Sequence, residues 1–173
     1  MTEMELQKAL AEVREGNREA FVGIYRDLSK PVYTVILRIV RHRELAEDVT
    51  QDLFVKLFVA PPDASVKNPR AWIFRMARNL AIDAMRTQHI EQSDEVLESQ
   101  VACDEIGQTN TRLDVEKAMS HLPQTEREIV ALYIHGGMSF AEIARIEALS
   151  PAATWRAYRR ALKRLRMELG GNV

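Results

Sequence analysis

SFAEIARIEALSPAATWRAYRRALKRLRMEL, residues Ser139 to Leu169, decides how the chain is built. Ser139 and Glu142 have the three-residue spacing of a capping box, in which side chain and backbone at a helix start satisfy each other's hydrogen bonds. A short helix and a turn are therefore expected from Ser139 to Leu149. Ser150 followed by Pro151 is a second start signal, an N-cap with proline at the first helical position, where its missing N–H costs nothing. Two capped helices joined by a few residues predict a helix-turn-helix, whose second helix normally enters the major groove of DNA.

The second helix divides by spacing. Thr154, Tyr158, Ala161 and Leu165 line one side, and Arg156, Arg159, Arg160, Lys163 and Arg166 cluster on the other. A solvated surface helix would mix charges in Glu-to-Lys pairs. Here the run is nearly all one sign, with Glu168 the only acid, so its self-repulsion calls for an anionic partner.

Composition limits the rest. The 173 residues accommodate one domain or two small ones, with a globular hydrophobic fraction and little Gly or Pro. The single Cys103 excludes a disulfide framework and suits a reducing cytoplasm. Met1 to Gly16 is charged and amphipathic rather than a signal peptide, and no apolar run is long enough for a bilayer, so a soluble cytoplasmic protein is expected. The net charge of −1 is low for an autonomous DNA binder, whose affinity rises with the phosphates it neutralises. The charge is unevenly distributed. Gln88 to Thr111 has no Lys or Arg but carries Glu91, Asp94, Glu95, Glu98, Asp104 and Glu105. Lys67, Arg70, Arg75, Arg78 and Arg86 precede it and the basic C-terminal helix follows.

Nearly every other segment has helical period, which predicts an all-α chain. Leu6, Leu10 and Val13 mark a first helix ended by Gly16; Asn17 caps a second to about Leu28; Pro31 opens a third through Val40; Glu44 to Val59 gives a fourth before Pro61-Pro62. Asn68 then caps a long helix from Pro69 to about Gln88. Helices resume at about Arg112 to His121 and after Pro123, ending at Gly136-Gly137. The expected organisation is a four- or five-helix domain over 1–88, an acidic linker over 89–111, and a four-helix domain over 112–173.

Two further constellations carry chemistry. In the helix from Pro69, Ile73, Met76, Leu80 and Ala84 share the expected buried face, with Arg75, Arg78, Asn79 and Arg86 opposite. Such a stripe can follow phosphates while Asn79 reads a base edge. The preceding loop, Pro61 to Arg70, offers Asp63, Ser65, Lys67 and Asn68 as polar groups for an extruded base. Trp72 and Phe74 can stack on bases but suit packing better. On the Glu44–Val59 helix, Asp48, Gln51 and Asp52 fall on one side and Val49, Leu53 and Leu57 on the other, which by itself describes only a solvated face.

Arg43 to Phe58 (RELAEDVTQDLFVKLF) followed by Asn68 to Arg86 (NPRAWIFRMARNLAIDAMR) resembles region 2 of an extracytoplasmic-function sigma factor. Leu122 onward (LPQTEREIVALYIHGGMSFAEIARIEALS, then RALKRLR) is similar to region 4 of the same family. The resemblance implies that Asp48, Gln51 and Asp52 face the clamp helices of core RNA polymerase, whose flap is the other docking element on the large subunits. It implies that the Pro61–Arg70 loop with Lys67, Asn68, Arg75, Arg78 and Asn79 recognises and opens the promoter −10 element. The helix-turn-helix of 139–158 would read the −35 element through Trp155, Arg156, Arg159, Arg160 and Lys163. The acidic linker would thread a basic polymerase channel, and an anti-sigma factor is an expected partner. No cofactor, metal or membrane insertion is implied.

The chain departs from the family at six positions of its helix-turn-helix. Ala148 stands where glycine is usual in the turn, Glu147 where an apolar residue is common, Ala153, Thr154 and Trp155 where threonine, valine and a basic residue are typical, and Ala157 where an arginine is expected. The main rival function is a stand-alone helix-turn-helix regulator, but no dimerising heptad or effector pocket is evident. An enzyme is disfavoured: His42, His89, His121 and His135 are scattered, and no metal-ligand spacing or Gly-rich phosphate loop occurs.

Overall fold

Thr2 accepts the backbone N–H of Glu5 at 3.2 Å, and Glu5 accepts the N–H of Thr2 at 2.6 Å, so the first helix starts on a capping box. The computed structural model describes residues 1–91 and 110–170. Their regular structure is entirely helical: α1 (Glu3–Arg14), α2 (Arg18–Val40), α3 (Arg43–Val59), α4 (Pro69–Glu91), α5 (Asn110–Ser120), α6 (Gln124–Ile134), α7 (Phe140–Glu147) and α8 (Pro151–Gly170). The first four helices form one compact unit and the last four another. Helices α4 and α5 each extend a little into the span expected to be linker. Cys103 and the acids from Asp94 to Glu105 lie outside the described residues.

In the first unit the predicted stripes become the core. Leu6 and Leu10 of α1, Leu28 and Ile36 of α2, Leu53 and Leu57 of α3, and Ile73 of α4 are almost fully buried. Each such side chain contributes roughly 1.5–3 kcal/mol relative to exposure. Two expectations fail here. The second and third predicted helices are one, because α2 runs unbroken through Pro31. Its buried stripe (Ile24, Leu28, Val32, Val35, Ile39) continues on both sides of the proline, and burial of that length outweighs the ~3 kcal/mol a mid-helix proline costs. The buried face of α4 is also rotated. Ile73, Phe74, Ala77 and Ala81 are buried, while Met76, Leu80 and Ala84 are half-buried. The alanines let the α4 backbone approach its neighbours closely, and Phe74 fills the core as its packing role required.

In the second unit, Met119, Leu122, Val130 and Ala161 form a core cluster, with Tyr158 and Leu165 packed against it. Ile129, Leu132, Ile143 and Ala157 are also buried. Helix α6 ends before Gly136-Gly137, where a Cβ at Gly136 would meet the Leu132 carbonyl oxygen at 2.5 Å and Gly137 has φ +64°. Only glycine fits the first position without displacing backbone, and it suits the second best.

Candidate nucleic-acid and protein interfaces

The helix-turn-helix is built as its spacing predicts. The Glu142 N–H donates to Ser139 Oγ at 3.3 Å, and the Ser139 N–H donates to Glu142 Oε2 at 2.8 Å. Ser150 Oγ accepts the Ala153 N–H at 3.1 Å, opening α8. Ala148 adopts the left-handed conformation (φ 53°, ψ 41°), the one that makes glycine common at such a turn. Thr154 is fully buried and its hydroxyl donates to the Ser150 carbonyl at 3.0 Å, so it belongs to the packing face. Ala157 is 3% exposed. An arginine there would point into the core, so the alanine is a packing residue and not a lost contact.

The outer surface of α8 is basic but not uniform. Arg156, Arg159 and Lys163 are exposed. Trp155 is 45% exposed, with the Arg159 guanidinium carbon 5.0 Å from its ring centroid, a cation–π contact that stiffens both side chains. Arg160 is held differently: its Nε lies 3.1 Å from Oε1 of Glu126, and Arg164 Nε lies 3.4 Å from Oε2 of the same carboxylate. Glu126, in the first turn of α6, is itself buried. Tyr133 of α6, Phe140 of α7 and Tyr158 of α8 pack with ring centroids 4.7–5.2 Å apart and tie the three helices together. Burial, and then the neighbouring Tyr133, pushes the Tyr158 phenol above its ordinary value of 10.0.

The basic stripe of α4 exposes Arg75, Asn79 and Arg86, while Arg78 is half-buried. Asn68 caps α4 with its Oδ1, which accepts the Ala71 N–H at 2.9 Å. The loop ahead of it is anchored. The Arg14 guanidinium donates to the Pro62 carbonyl. Asp63 accepts the Ser65 hydroxyl and its N–H, the latter at 2.7 Å, and these two bonds hold its carboxyl below the usual value. Lys67 stays exposed. Arg70 is taken into structure, donating to the Met1 carbonyl at 3.0 Å and standing 3.6 Å from Asp27.

On α3, Asp48, Gln51 and Asp52 are exposed, and Asp52 pairs with Lys56 one turn on. Beside them runs a groove of about 780 Å³ between α2 and α3, lined by Phe21, Tyr25, Phe54, Val55 and Phe58, with Gln51 at its border. Edge-to-face contacts hold its walls, Phe21 on Phe58 at 5.0 Å and Tyr25 on Phe54 at 4.8 Å. Sequence reasoning missed this groove. Its signal was present in Val55 and Phe58, apolar side chains on the side of α3 that the buried stripe leaves free.

Among the described residues no three His, Cys, Asp or Glu side chains gather as a metal site, and no helix is long and apolar enough to cross a membrane.

Comparison with known proteins meets this geometry at both units. Sigma-70 region 2 matches residues 24–90 and Sigma-70 region 4 matches residues 112–165. The ECF RNA polymerase sigma factor SigK of Mycobacterium ulcerans is 26% identical over 172 residues, which span 94% of this chain and 92% of that protein. The fold is similar to that of the sigma factor RpoE of Bartonella quintana, solved in complex with the anti-sigma factor NepR, at TM-score 0.74 and 24% identity over 88% of this chain and 98% of that one. It is also similar to CnrH, solved with the cytosolic domain of CnrY, at TM-score 0.69 and 22% identity over 98% and 99% of the two chains. A region 2 match, a region 4 match that ends on the basic helix α8, and a sigma-factor relative along nearly the whole length agree: the chain belongs to the sigma-70 family, as an extracytoplasmic-function sigma factor that directs transcription initiation by RNA polymerase.

Proposed function

We propose that the first unit, residues 1–88, docks on the clamp helices of core polymerase through Asp48, Gln51, Asp52 and the adjoining α2–α3 groove. The same unit recognises and opens the −10 element through Lys67, Asn68, Arg75, Arg78, Asn79 and the 61–70 loop. The second unit, residues 112–173, meets the flap and reads the −35 element as duplex through Trp155, Arg156, Arg159, Arg160 and Lys163. The observation that carries this reading is the helix-turn-helix whose second helix turns Trp155, Arg156, Arg159 and Lys163 to solvent from a packed face of Thr154, Ala157 and Ala161. The apolar groove, with Ser29, Lys30, Glu47 and Gln51 among its lining, supports the polymerase face, since an exposed apolar surface rimmed by polar groups is the usual form of a protein-binding site.

The acidic stretch 89–111 threads a basic channel of the polymerase, which its lack of Lys and Arg supports. The near-neutral chain then gains DNA competence only with core enzyme. It works where polymerase and promoter meet, in the cytoplasm, and contributes binding rather than catalysis. That RpoE and CnrH were each solved with a partner, an anti-sigma factor in the case of RpoE, supports a similar protein holding this chain in reserve.

Run-off transcription with purified core polymerase tests the reading. Adding the chain should produce discrete promoter-dependent transcripts, whereas blocked transcription on the same templates would identify a stand-alone repressor.

A further inference from the structure

Glu126 is an unusual residue to bury. It is 5% exposed, near the start of α6, and its Oε2 has no hydrogen-bond partner. The helix N-terminus favours its negative charge but does not account for its aim. Both oxygens are directed at α8, one towards Arg160 at 3.1 Å and the other towards Arg164 at 3.4 Å. The two arginines stand one turn apart, about 6 Å along the helix axis. Each approaches the carboxylate through Nε, and each keeps more than half of its side chain in solvent, 58% for Arg160 and 52% for Arg164.

A guanidinium whose Nε faces a carboxylate, hydrogen-bonded as in Arg160 or ion-paired as in Arg164, keeps its outer Nη edge for a second ligand, and that edge matches an anionic oxygen pair. Two such edges side by side, spaced by one helical turn, suit successive phosphates of a single strand. Their position on α8 favours backbone over bases. Pro151 is the first residue of the helix and the N-terminal residues of a recognition helix reach base edges. Arg160 and Arg164 lie beyond its first two turns, where the helix leaves the groove over the backbone.

We propose that Glu126 is a positioning residue that presets Arg160 and Arg164 as a two-pronged phosphate clamp. The inference rests on the reading of α8 as the duplex-binding helix. It deepens that reading by assigning Arg160 to the backbone rather than to a base and by adding Arg164 to the interface. Phosphate contacts fix register on the duplex and carry no direct sequence information. The clamp therefore governs how tightly the promoter is held, while Trp155, Arg156 and Arg159 govern which promoter is chosen.

Charge alone makes the opposite prediction, which gives the test its force. Glu126→Gln removes a negative charge from beside two cations, so a Glu126 that merely dampens the basic face would, when neutralised, let the protein bind DNA more tightly. The experiment uses holoenzyme assembled from core polymerase and the full chain, with a promoter fragment selected by the parent holoenzyme from a randomised pool. Affinity is followed from 50 to 200 mM salt for the parent, Glu126→Gln and Arg160→Gln/Arg164→Gln.

Each released phosphate contact lowers the logarithmic salt slope by about 0.9. The double arginine variant should lose about two contacts of slope. Glu126→Gln should lose at least one, with affinity down about three- to tenfold, unchanged melting of the free protein and the same selected −35 sequence. A Glu126→Gln holoenzyme that binds as tightly as the parent or tighter, with the parent's slope, overturns the proposal. So does a −35 sequence altered by the arginine variant, because a base contact would then be in play. If Glu126→Gln lowers the melting temperature, Glu126→Asp, which keeps the charge, decides: recovery of the parent slope supports the clamp, and continued loss of affinity at the parent slope reduces Glu126 to a packing residue. A parent holoenzyme that selects no sequence from the pool would instead sink the broader reading of α8.

Discussion

The backbone N–H of Leu149 donates to the carbonyl of Ala144 at 2.9 Å, and that bond folds the helix-turn-helix turn back on α7. It closes only because Ala148, between them, takes positive φ. A Cβ in this conformation crowds the following carbonyl at roughly 1–2 kcal/mol, partly offset in alanine by a less flexible unfolded chain. Ala148→Gly should therefore stabilise the second unit by about 1 kcal/mol and raise its melting temperature by several degrees. Ala148→Val should lower it by at least as much. Calorimetry on both variants checks the sign, and a Gly variant that melts at or below the parent temperature would show that the turn is unstrained.

A second expectation concerns the carboxylates of α3. Asp48 and Asp52 are exposed, and the single pair between Asp52 and Lys56 is worth under about 0.5 kcal/mol. Asp48→Lys with Asp52→Lys should leave folding almost intact while reducing core polymerase affinity at least tenfold in competition binding. Phe58→Ala, at the groove, should act in the same direction. Full affinity in a folded double variant would move the docking face elsewhere.

The turn at Asp63 sets the third. Its folded pKa is depressed by the two Ser65 bonds, so the carboxylate stabilises the loop above the ordinary value of 3.8. That stabilisation fades only as pH falls through the lowered value. The loop should thus hold its shape at every pH used for transcription. Asp63→Ala should expose Lys67 to trypsin several-fold faster at pH 8. Asn79→Ala should leave tryptic cleavage unchanged yet reduce permanganate reactivity of thymines near the start site. Equal reactivity in parent and Asn79→Ala would remove Asn79 from strand opening.

How far could the sequence be read? Local cap chemistry was legible at several starts: Ser139 with Glu142, Ser150 with Pro151, and Asn68 ahead of Pro69 all form as their spacing predicts, whereas the equally local Thr2–Glu5 box and the His42 cap went unread. Long-range packing was not. Pro31 reads as a break because local propensity cannot register the stripe from Ile24 to Ile39 that carries α2 through it. The face of α4 was misjudged because Ala77 and Ala81 count little in hydrophobic periodicity, though small residues are what a close helix crossing needs. Glu126 gave no signal at all. Its partners stand more than thirty residues away on another helix, and a buried carboxylate is recognised only once its neighbours are known.

The fourth prediction follows from the outward side chains of α8. An arginine that reads guanine carries roughly 1–3 kcal/mol of discrimination. Arg156→Ala should therefore relax one position of the selected −35 sequence. Lys163→Ala should weaken all sequences alike and flatten the salt slope, as the loss of a phosphate contact does. Trp155→Lys should shift the preferred sequence rather than abolish transcription, because the indole is exposed and no core packing is lost. Identical promoter libraries for parent and Arg156→Ala would assign that arginine to the backbone.

The same indole gives the chain an optical property of its own. It has two tryptophans, one in each unit: Trp72 half-buried in α4 and Trp155 exposed in α8 beneath the Arg159 guanidinium. Duplex DNA that draws Arg159 off the ring changes the surroundings of Trp155, while Trp72 sits in the other unit. With Trp72→Phe in place, the intrinsic tryptophan fluorescence of the free chain comes from Trp155 alone and reports the Arg159 contact with no dye attached.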